Sequence, residues 1–232
     1  MPTLTLIRHG QAGTRDDYDR LSETGMEQAR LLGLWLGQRE PAFDSVFSGS
    51  LERQRQTAAI AMNGVREVRQ NPDWNEFDMD GVFEAIVPLL QEADAGFRQR
   101  YAAIESEIAR GGESIHREWR PADGEVMVAW LKSRFGEIAG VESWEAFRER
   151  VKRALKSVAD MEAEAKVCVF TSALPAAICI AESLGLEQPR ILSLAGTSYN
   201  TGITVLRIAS GQPELVSFNS ASHLPDQLLT HR

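Results

Sequence analysis

The sequence LTLIRHGQA, residues 4–12, decides the fold class of this chain. Its apolar first half predicts a buried strand, and that strand runs directly into an arginine, a histidine and a glycine at positions 8–10. In open α/β sheets, ligand sites lie beyond the carboxyl ends of the strands. The stretch therefore predicts a cation and a titratable nucleophile at such a site, while a strand that simply ends in a polar turn is the competing interpretation.

The composition is that of an ordinary globular protein. The 232 residues are 43% hydrophobic and 25% charged, which is sufficient for one large α/β domain with a full core. A formal net charge of -8 excludes a global basic field for gripping nucleic acid or anionic lipid. We therefore predict no nucleic-acid partner and no membrane partner, and we expect a small substrate.

No targeting segment and no metal-binding pattern are visible in the sequence. Met1 and Pro2 lead straight into the first strand, without a basic region or a long apolar run, so a cytoplasmic location is expected. Cys168 and Cys179 lie in apolar runs and are predicted to be core thiols. The histidines show no metal-ligand spacing with one another or with cysteine, so we predict neither a metal nor another cofactor.

The order of strand-like and helix-like segments predicts a sheet covered by helices. Strands are predicted at 44–48 and 167–170, each followed by a helix, and a hairpin with strands at 202–209 and 214–218 ends the chain. The predicted fold class is α/β, with three α/β/α layers around a mostly parallel central sheet.

A helical insertion is predicted at about 82–142, within a single domain that spans 1–232. Apolar residues recur there at alternating spacings of three and four, which indicates helices rather than strands. Pro88 and Gly96 are expected to interrupt or bend the first of these helices. The insertion is either a lid over a site or a helical hairpin that widens the core.

Polar groups stand at three strand-to-helix junctions, at 8–10, 48–53 and 171–173. In a parallel sheet these junctions lie together. A neutral imidazole near two guanidinium groups is a poor metal site but a good phosphoryl acceptor, because arginine binds phosphate oxygens bidentately. We therefore predict that His9 attacks phosphorus to give a phosphoramidate, while a carboxylic acid protonates the leaving alcohol.

Two of the site assignments have competitors nearby in the sequence. Glu76 is the candidate acid, and Asp78 and Asp80 in the same loop are the alternatives. Arg53 is preferred to Arg55 as the second phosphate ligand, because it lies in the first turn of its helix, near the junction.

The chain resembles the histidine phosphatase superfamily, that is, the phosphoglycerate mutase-like or histidine acid phosphatase-like proteins. The resemblance rests on three ordered motifs, which are LIRHGQA at 6–12, LSETGMEQA at 21–29 and SGSLERQRQTA at 48–58. Three motifs at family-like spacing are far more specific than one. Residues at about 82–142 lie in a region that differs among the members of this superfamily.

The resemblance implies a role for each of the residues singled out above. It implies that His9 is the phosphorylated nucleophile, that Arg8 and Arg53 hold the phosphate, and that Glu76 occupies the place of the proton donor. The substrate is then a small phosphorylated compound or a phosphoprotein.

One position departs from the family pattern. After the fourth strand the family has a second histidine in a Ser-His-Gly-Gly-Pro-like turn, and alignment on Pro175 puts Ser172 in the place of that histidine. Ser172 can bind phosphate as a neutral donor, but a cationic donor is lost, which typically costs on the order of 10² to 10³ in rate. His223 is an alternative replacement from the C-terminal segment, against the more common role of such a histidine as a loop anchor.

The leading functional interpretation is a metal-independent phosphatase that acts on phosphomonoesters through a phosphohistidine at His9, with activity weakened by the change at position 172. A catalytically impaired phosphate-binding or regulatory protein of the same fold is the alternative. A phosphoglycerate mutase-type phosphotransferase is less favoured, because Gln11-Ala12-Gly13-Thr14 stands where those mutases have a Ser-x-Trp-Asn-like continuation.

Overall fold

The computed structural model describes residues 1–14, 17–39, 43–64, 66–109 and 121–231. Within these ranges the chain forms six strands, which belong to one sheet. They are β1 (Thr3–Arg8), β2 (Ser45–Ser48), β3 (Val68–Gln70), β4 (Lys166–Thr171), β5 (Ile203–Ala209) and β6 (Gln212–Ser220).

Helices connect most of these strands. They are α1 (Glu23–Arg39), α2 (Glu52–Met62), α3 (Met79–Ala93), α4 (Ala95–Ala109), α5 (Pro121–Leu131), α6 (Trp144–Ala159), α7 (Ala173–Leu184) and α8 (Gln188–Thr197). Short 3-10 helices lie at Pro72–Trp74 and Asp226–Leu228.

The sheet is mixed, with the strand order β3-β2-β4-β1-β5-β6. The first four strands in this order are parallel, and β5 and β6 are antiparallel to their neighbours. On one face, side chains of β1, β2 and β4 form a buried core with residues of α1 and α2. The predicted fold class, a three-layer α/β/α arrangement with a mostly parallel sheet, is confirmed.

The register of the parallel strands brings the polar junctions to one edge of the sheet. Arg8 at the end of β1 lies opposite Thr171 at the end of β4, and Ser48 at the end of β2 lies opposite Phe170. Residues that follow these strands therefore emerge side by side. This edge is where the sequence predicts a phosphate site.

The chain divides into two compact units. The first comprises Met1–Glu76 and Glu149–Arg232 and contains the whole sheet, and the second is Phe77–Arg148. The second unit packs around an aromatic cluster in which Trp130 contacts Phe77, Trp144 and Phe147. Its range encloses the predicted insertion, of which residues 110–120 lie outside the described residues. A lid function for this unit stays a prediction.

The break between α3 and α4 falls at Asp94. Its Oδ1 accepts hydrogen bonds from the backbone of Gly96 at 2.8 Å and of Phe97 at 3.0 Å, which caps the start of α4. The interruption thus lies two residues before the predicted Gly96, whereas α3 continues through Pro88.

Both cysteines belong to the core of the sheet unit. Cys168 in β4 and Cys179 in α7 are fully buried free thiols, and burial raises the pKa of each of them. Among the helices of the described ranges, none combines the length and the apolar character that crossing a membrane requires.

Candidate active site

The backbone of His9 is fixed by the end of β4 and by the segment just before β5. Its N–H donates to the carbonyl of Thr171 at 2.9 Å. Its carbonyl accepts from the side-chain amide of Asn200 and from the backbone N–H of Thr201, each at 3.2 Å. Since both backbone groups are bonded, the start of the His9 side chain has little freedom to move.

The turn after His9 requires a glycine because another backbone segment passes very close to it. A Cβ atom at Gly10 would lie 2.5 Å from the carbonyl oxygen of Gly25 in the first turn of α1. The N–H of Gly10 donates to Oγ1 of Thr57 at 3.0 Å. The turn is therefore packed tightly between α1 and α2.

The imidazole of His9 is buried, with 3% of the residue exposed, and its orientation defines its tautomer. Nδ1 lies 2.7 Å from the carbonyl oxygen of Gly10, which only accepts, so Nδ1 carries the hydrogen. Nε2 accepts from Nε of Arg53 at 3.3 Å. Burial, followed by the charges of Arg53 and Arg8, holds the pKa of His9 well below its ordinary value, so the ring is neutral with a lone pair on Nε2.

Arg53 is held by a loop that sequence reasoning did not connect with it. One of its terminal nitrogens donates to Oδ1 of Asp19 at 2.7 Å, and its guanidinium lies 5.3 Å from the ring centre of Tyr18. Oδ2 of Asp19 accepts from the backbone of Glu52 at 3.1 Å, at the first residue of α2. Asp19 thus caps α2 and orients Arg53 together.

Arg53 and Arg55 lie on the same helix but in different surroundings. The side chain of Arg53 is 9% exposed and contacts His9. The side chain of Arg55 is 46% exposed and pairs with Glu52. The structure therefore brings Arg53, and not Arg55, to His9.

Arg8 is, with Arg53, one of two buried arginines whose charges act on His9. Its terminal nitrogens donate to the carbonyl oxygens of Ser198 and His231, the latter at 3.4 Å. Its Nε is buried and has no hydrogen-bond partner among the described residues. A buried, unpartnered N–H on a cation is a group that an anion would satisfy.

The carboxylate of Glu76 contacts the start of α7, and its charge acts on Arg8. Its Oε2 accepts from the backbone N–H of Leu174 at 3.2 Å. Burial lowers the pKa of Arg8, and the charges of Tyr18 and Glu76 oppose this shift. Asp78, the competitor named above, instead caps α3 by accepting from the backbone of Gly81 at 3.1 Å.

Ser172 is 1% exposed and contacts Gln54, which is itself fully buried. Nε2 of Gln54 donates to Oγ of Ser172 at 2.8 Å, and Oε1 of Gln54 has no partner among the described residues. A hydroxyl that accepts one hydrogen bond retains its own hydrogen for another acceptor. Ser172 and Gln54 thus form a neutral hydrogen-bonded pair, of which the sequence analysis indicates only the serine.

We call His9, Arg8, Arg53, Glu76 and Ser172 the His9 site. The structure brings Arg53 into contact with His9, and the charge of Arg8 also acts on His9. The charge of Glu76 acts on Arg8. Ser172 follows Thr171, to whose carbonyl His9 is bonded. In the described part of the chain, no three His, Cys, Asp or Glu side chains are grouped so that they could hold a metal ion.

His223 anchors a loop next to the His9 site. Its Nε2–H donates at 2.9 Å to Oγ1 of Thr201, whose own hydrogen is donated to the carbonyl of Asn200. Its ring also packs against Trp35, at 6.1 Å between ring centres. His223 thus contacts Thr201, whose backbone N–H binds the carbonyl of His9.

Replacement of His223 by glutamine is expected to reduce the acid sensitivity of folding. Burial lowers the pKa of His223 to about 4. In the unfolded chain the ring of His223 becomes protonated near pH 6.5, whereas in the folded chain it becomes protonated only near pH 4. The free energy of unfolding is therefore highest above pH 6.5 and decreases as the pH falls towards 4. Because the ring is only half-buried, we expect this loss to be roughly 1–2 kcal/mol. Urea unfolding at pH 7 and pH 4.5 measures it.

The control for this prediction is His231→Gln, which changes an exposed histidine. It is expected to retain the acid sensitivity of the wild type. If His223→Gln and the wild type lost the same stability between pH 7 and pH 4.5, the acid sensitivity could not be assigned to His223.

Comparison with known proteins identifies a family. A family model described as the histidine phosphatase superfamily (branch 1) matches residues 4–117 and 113–221. No curated protein matches the sequence.

Three solved structures with the same fold match this chain over almost the whole length of both chains. Phosphoserine phosphatase from Entamoeba histolytica, in complex with 3-phosphoglyceric acid, is 21% identical with a TM-score of 0.63, over 97% of this chain and 100% of that chain. Alpha-ribazole phosphatase from Shigella flexneri is 20% identical with a TM-score of 0.61, over 94% and 96%. Mycobacterial glucosyl-3-phosphoglycerate phosphatase, in complex with inorganic phosphate, is 21% identical with a TM-score of 0.62, over 96% and 99%.

Proposed function

Because the chain belongs to the histidine phosphatase superfamily, we propose that it hydrolyses phosphomonoesters through a phosphohistidine at His9. The observation that carries this proposal is the state of the imidazole. Nδ1 holds its hydrogen against the Gly10 carbonyl, and Nε2 keeps a lone pair beside a guanidinium. A nucleophile with its lone pair already directed at a cationic pocket requires no proton removal before it attacks.

In the first step Nε2 of His9 attacks phosphorus, and the bond from phosphorus to the ester oxygen breaks. Glu76 donates its proton to the leaving oxygen, which departs as an alcohol. Arg8 and Arg53 bind the phosphoryl oxygens and stabilise the charge on them during in-line transfer. The carboxylate left on Glu76 is favoured by its position at the start of α7, where Leu174 donates to it at 3.2 Å.

In the second step water attacks the phosphohistidine. The Glu76 carboxylate takes a proton from this water as the new oxygen–phosphorus bond forms and the nitrogen–phosphorus bond breaks. Inorganic phosphate leaves, and His9 returns to its neutral state with the hydrogen on Nδ1. The cycle as proposed uses only these side chains and water.

The substrate that we propose is a small phosphorylated compound, without a choice among individual esters. The relatives named above support this class, since one is in complex with 3-phosphoglyceric acid and another with inorganic phosphate. The net charge of -8 also disfavours extended polyanions as substrates.

A second candidate function is phosphate recognition without useful turnover. The observation that favours it is the neutral pair of Ser172 and Gln54, which offers hydrogen bonds in a place where the family pattern has a cation. A neutral donor still contributes to ground-state binding of a phosphate, but it stabilises the more highly charged transition state less.

Phosphate release from p-nitrophenyl phosphate in the presence of EDTA tests the proposed function. The enzyme is expected to release phosphate repeatedly, with inorganic phosphate as a competitive inhibitor. Calorimetric titration with inorganic phosphate is the companion measurement. Phosphate binding without any release above the buffer background would overturn the enzyme in favour of the binding protein, and the absence of both would overturn both.

A further inference from the structure

The loop that carries Glu76 is fixed by side chains at four successive carbonyls, those of residues 73–76. The carbonyls of Asp73 and Asn75 accept from Nη1 of Arg150 at 3.1 and 2.8 Å, and that of Glu76 accepts from Nη2 at 3.3 Å. The carbonyl of Trp74 accepts from Oγ1 of Thr171 at 2.6 Å. The loop therefore depends on distant side chains, and above all on one guanidinium, for its conformation.

A guanidinium suits this task better than other cations do. Its nitrogens lie in one rigid plane, so a single half-buried side chain binds three carbonyls of a short loop together. The bonds are charge-assisted and hence stronger than those of a neutral donor. Arg150 projects from α6, so its own position is set by a helix and not by the loop that it holds.

The geometry points to Arg150 as the positioning residue of the general acid. It bonds the carbonyl of Glu76 itself, and so it sets where the Glu76 carboxyl enters the His9 site. This inference rests on the proposed function, in which Glu76 protonates the leaving group. Arg150 acts through Glu76 and makes no contact with the reacting atoms in this scheme.

The dependence of the rate on the leaving group tests this role. An alkyl phosphate needs a proton on its leaving oxygen, whereas 2,4-dinitrophenyl phosphate releases a stable anion without one. We expect Arg150→Met to lower kcat/KM, which reports only the steps up to departure of the leaving group, by about 10- to 100-fold for glycerol phosphate and by less than about threefold for the dinitrophenyl ester. Glu76→Gln is expected to show the same selectivity, and Arg150→Lys an intermediate loss.

Arg153→Met is the matched control on the same helix. Arg153 pairs with the carboxylate of Asp73 at 3.3 Å, and its side chain is 64% exposed. This variant is expected to hydrolyse both esters at the wild-type rate. Equal losses for both esters in Arg150→Met and Arg150→Lys would overturn the positioning role and assign Arg150 to general stability.

A second readout does not depend on activity. The amide of Leu174 donates to the Glu76 carboxylate, so displacement of Glu76 exposes this amide. In Arg150→Met its hydrogen exchange is expected to accelerate by about tenfold or more relative to other amides of α7. Unchanged exchange would overturn the inference even if the wild type proved inactive, and inactivity of the wild type with accelerated exchange would overturn only the proposed function.

Discussion

His9→Ala is expected to lower kcat for a phosphomonoester by on the order of 10⁴- to 10⁶-fold, the range seen when a covalent nucleophile is removed. No other described side chain in contact with Arg53 is a nucleophile of comparable strength: the Asp19 carboxylate is ion-paired, and Tyr18 lies under the guanidinium. Without Nε2 of His9, the remaining groups can bind the ester but cannot accept its phosphoryl group. Steady-state phosphate release by the wild type and the variant measures the difference.

Binding and folding measurements separate this loss from damage to the protein. Arg8 and Arg53 remain in His9→Ala, so inorganic phosphate is expected to bind with an affinity within about tenfold of the wild type. The melting temperature reports on folding, since the variant removes a buried ring. A variant that is folded, binds phosphate and still turns over at the wild-type rate would show that His9 is not the nucleophile.

Arg53→Met is expected to lower kcat/KM by on the order of 10² to 10³, as for the loss of one charged donor to the transition state. Methionine fills part of the space of the arginine stem but cannot bind phosphoryl oxygens. Arg55→Met is the matched control, because Arg55 lies two residues away on α2 with an exposed side chain paired to Glu52. It is expected to keep the wild-type kcat/KM, and equal losses in the two variants would contradict the role of Arg53.

The pH dependence of Arg53→Met provides an independent check. The positive charge of Arg53 is the second-largest cause, after burial, of the lowered pKa of His9. In the proposed mechanism only neutral His9 attacks, so activity is expected to fall as the pH drops through this pKa. Removal of Arg53 raises the pKa, so the acidic limb of the pH–rate profile is expected to move to higher pH. An unchanged acidic limb would show that the charge of Arg53 does not act on His9.

Local patterns in the sequence are sufficient to predict a mostly parallel sheet and the polar residues that follow its strands. The apolar run that ends at Arg8 could be recognised as a buried strand, and parallel pairing with β4 then brings His9 and Ser172 to the same edge. Helix α8 is not apparent from the sequence, because Gln188–Thr197 includes a proline and a glycine, which are typical of turns and loops. Asp94 is a less obvious break than Pro88 or Gly96, because aspartate interrupts a helix only where its side chain caps the next one.

The supporting residues of the site could not be predicted because they come from elsewhere in the chain. Asp19 reaches Arg53 from a loop 34 residues away, and Gln54 reaches Ser172 across 118 residues. Arg150 contacts the Glu76 loop across 74 residues. Such contacts follow from how helices pack on the sheet, and no periodicity or motif encodes them. The sequence singles out Ser172, but only the structure shows that Gln54 donates a hydrogen bond to it.

The most direct test of the account is the identity of the phosphorylated residue. The enzyme is mixed with a ³²P-labelled phosphomonoester and quenched within milliseconds, and the labelled peptide is mapped. We predict a single label on His9 that is lost in acid and stable in base, as a phosphoramidate is. A label on a serine or on another histidine, or steady hydrolysis at saturating substrate with no labelled protein at any quench time, would contradict the account.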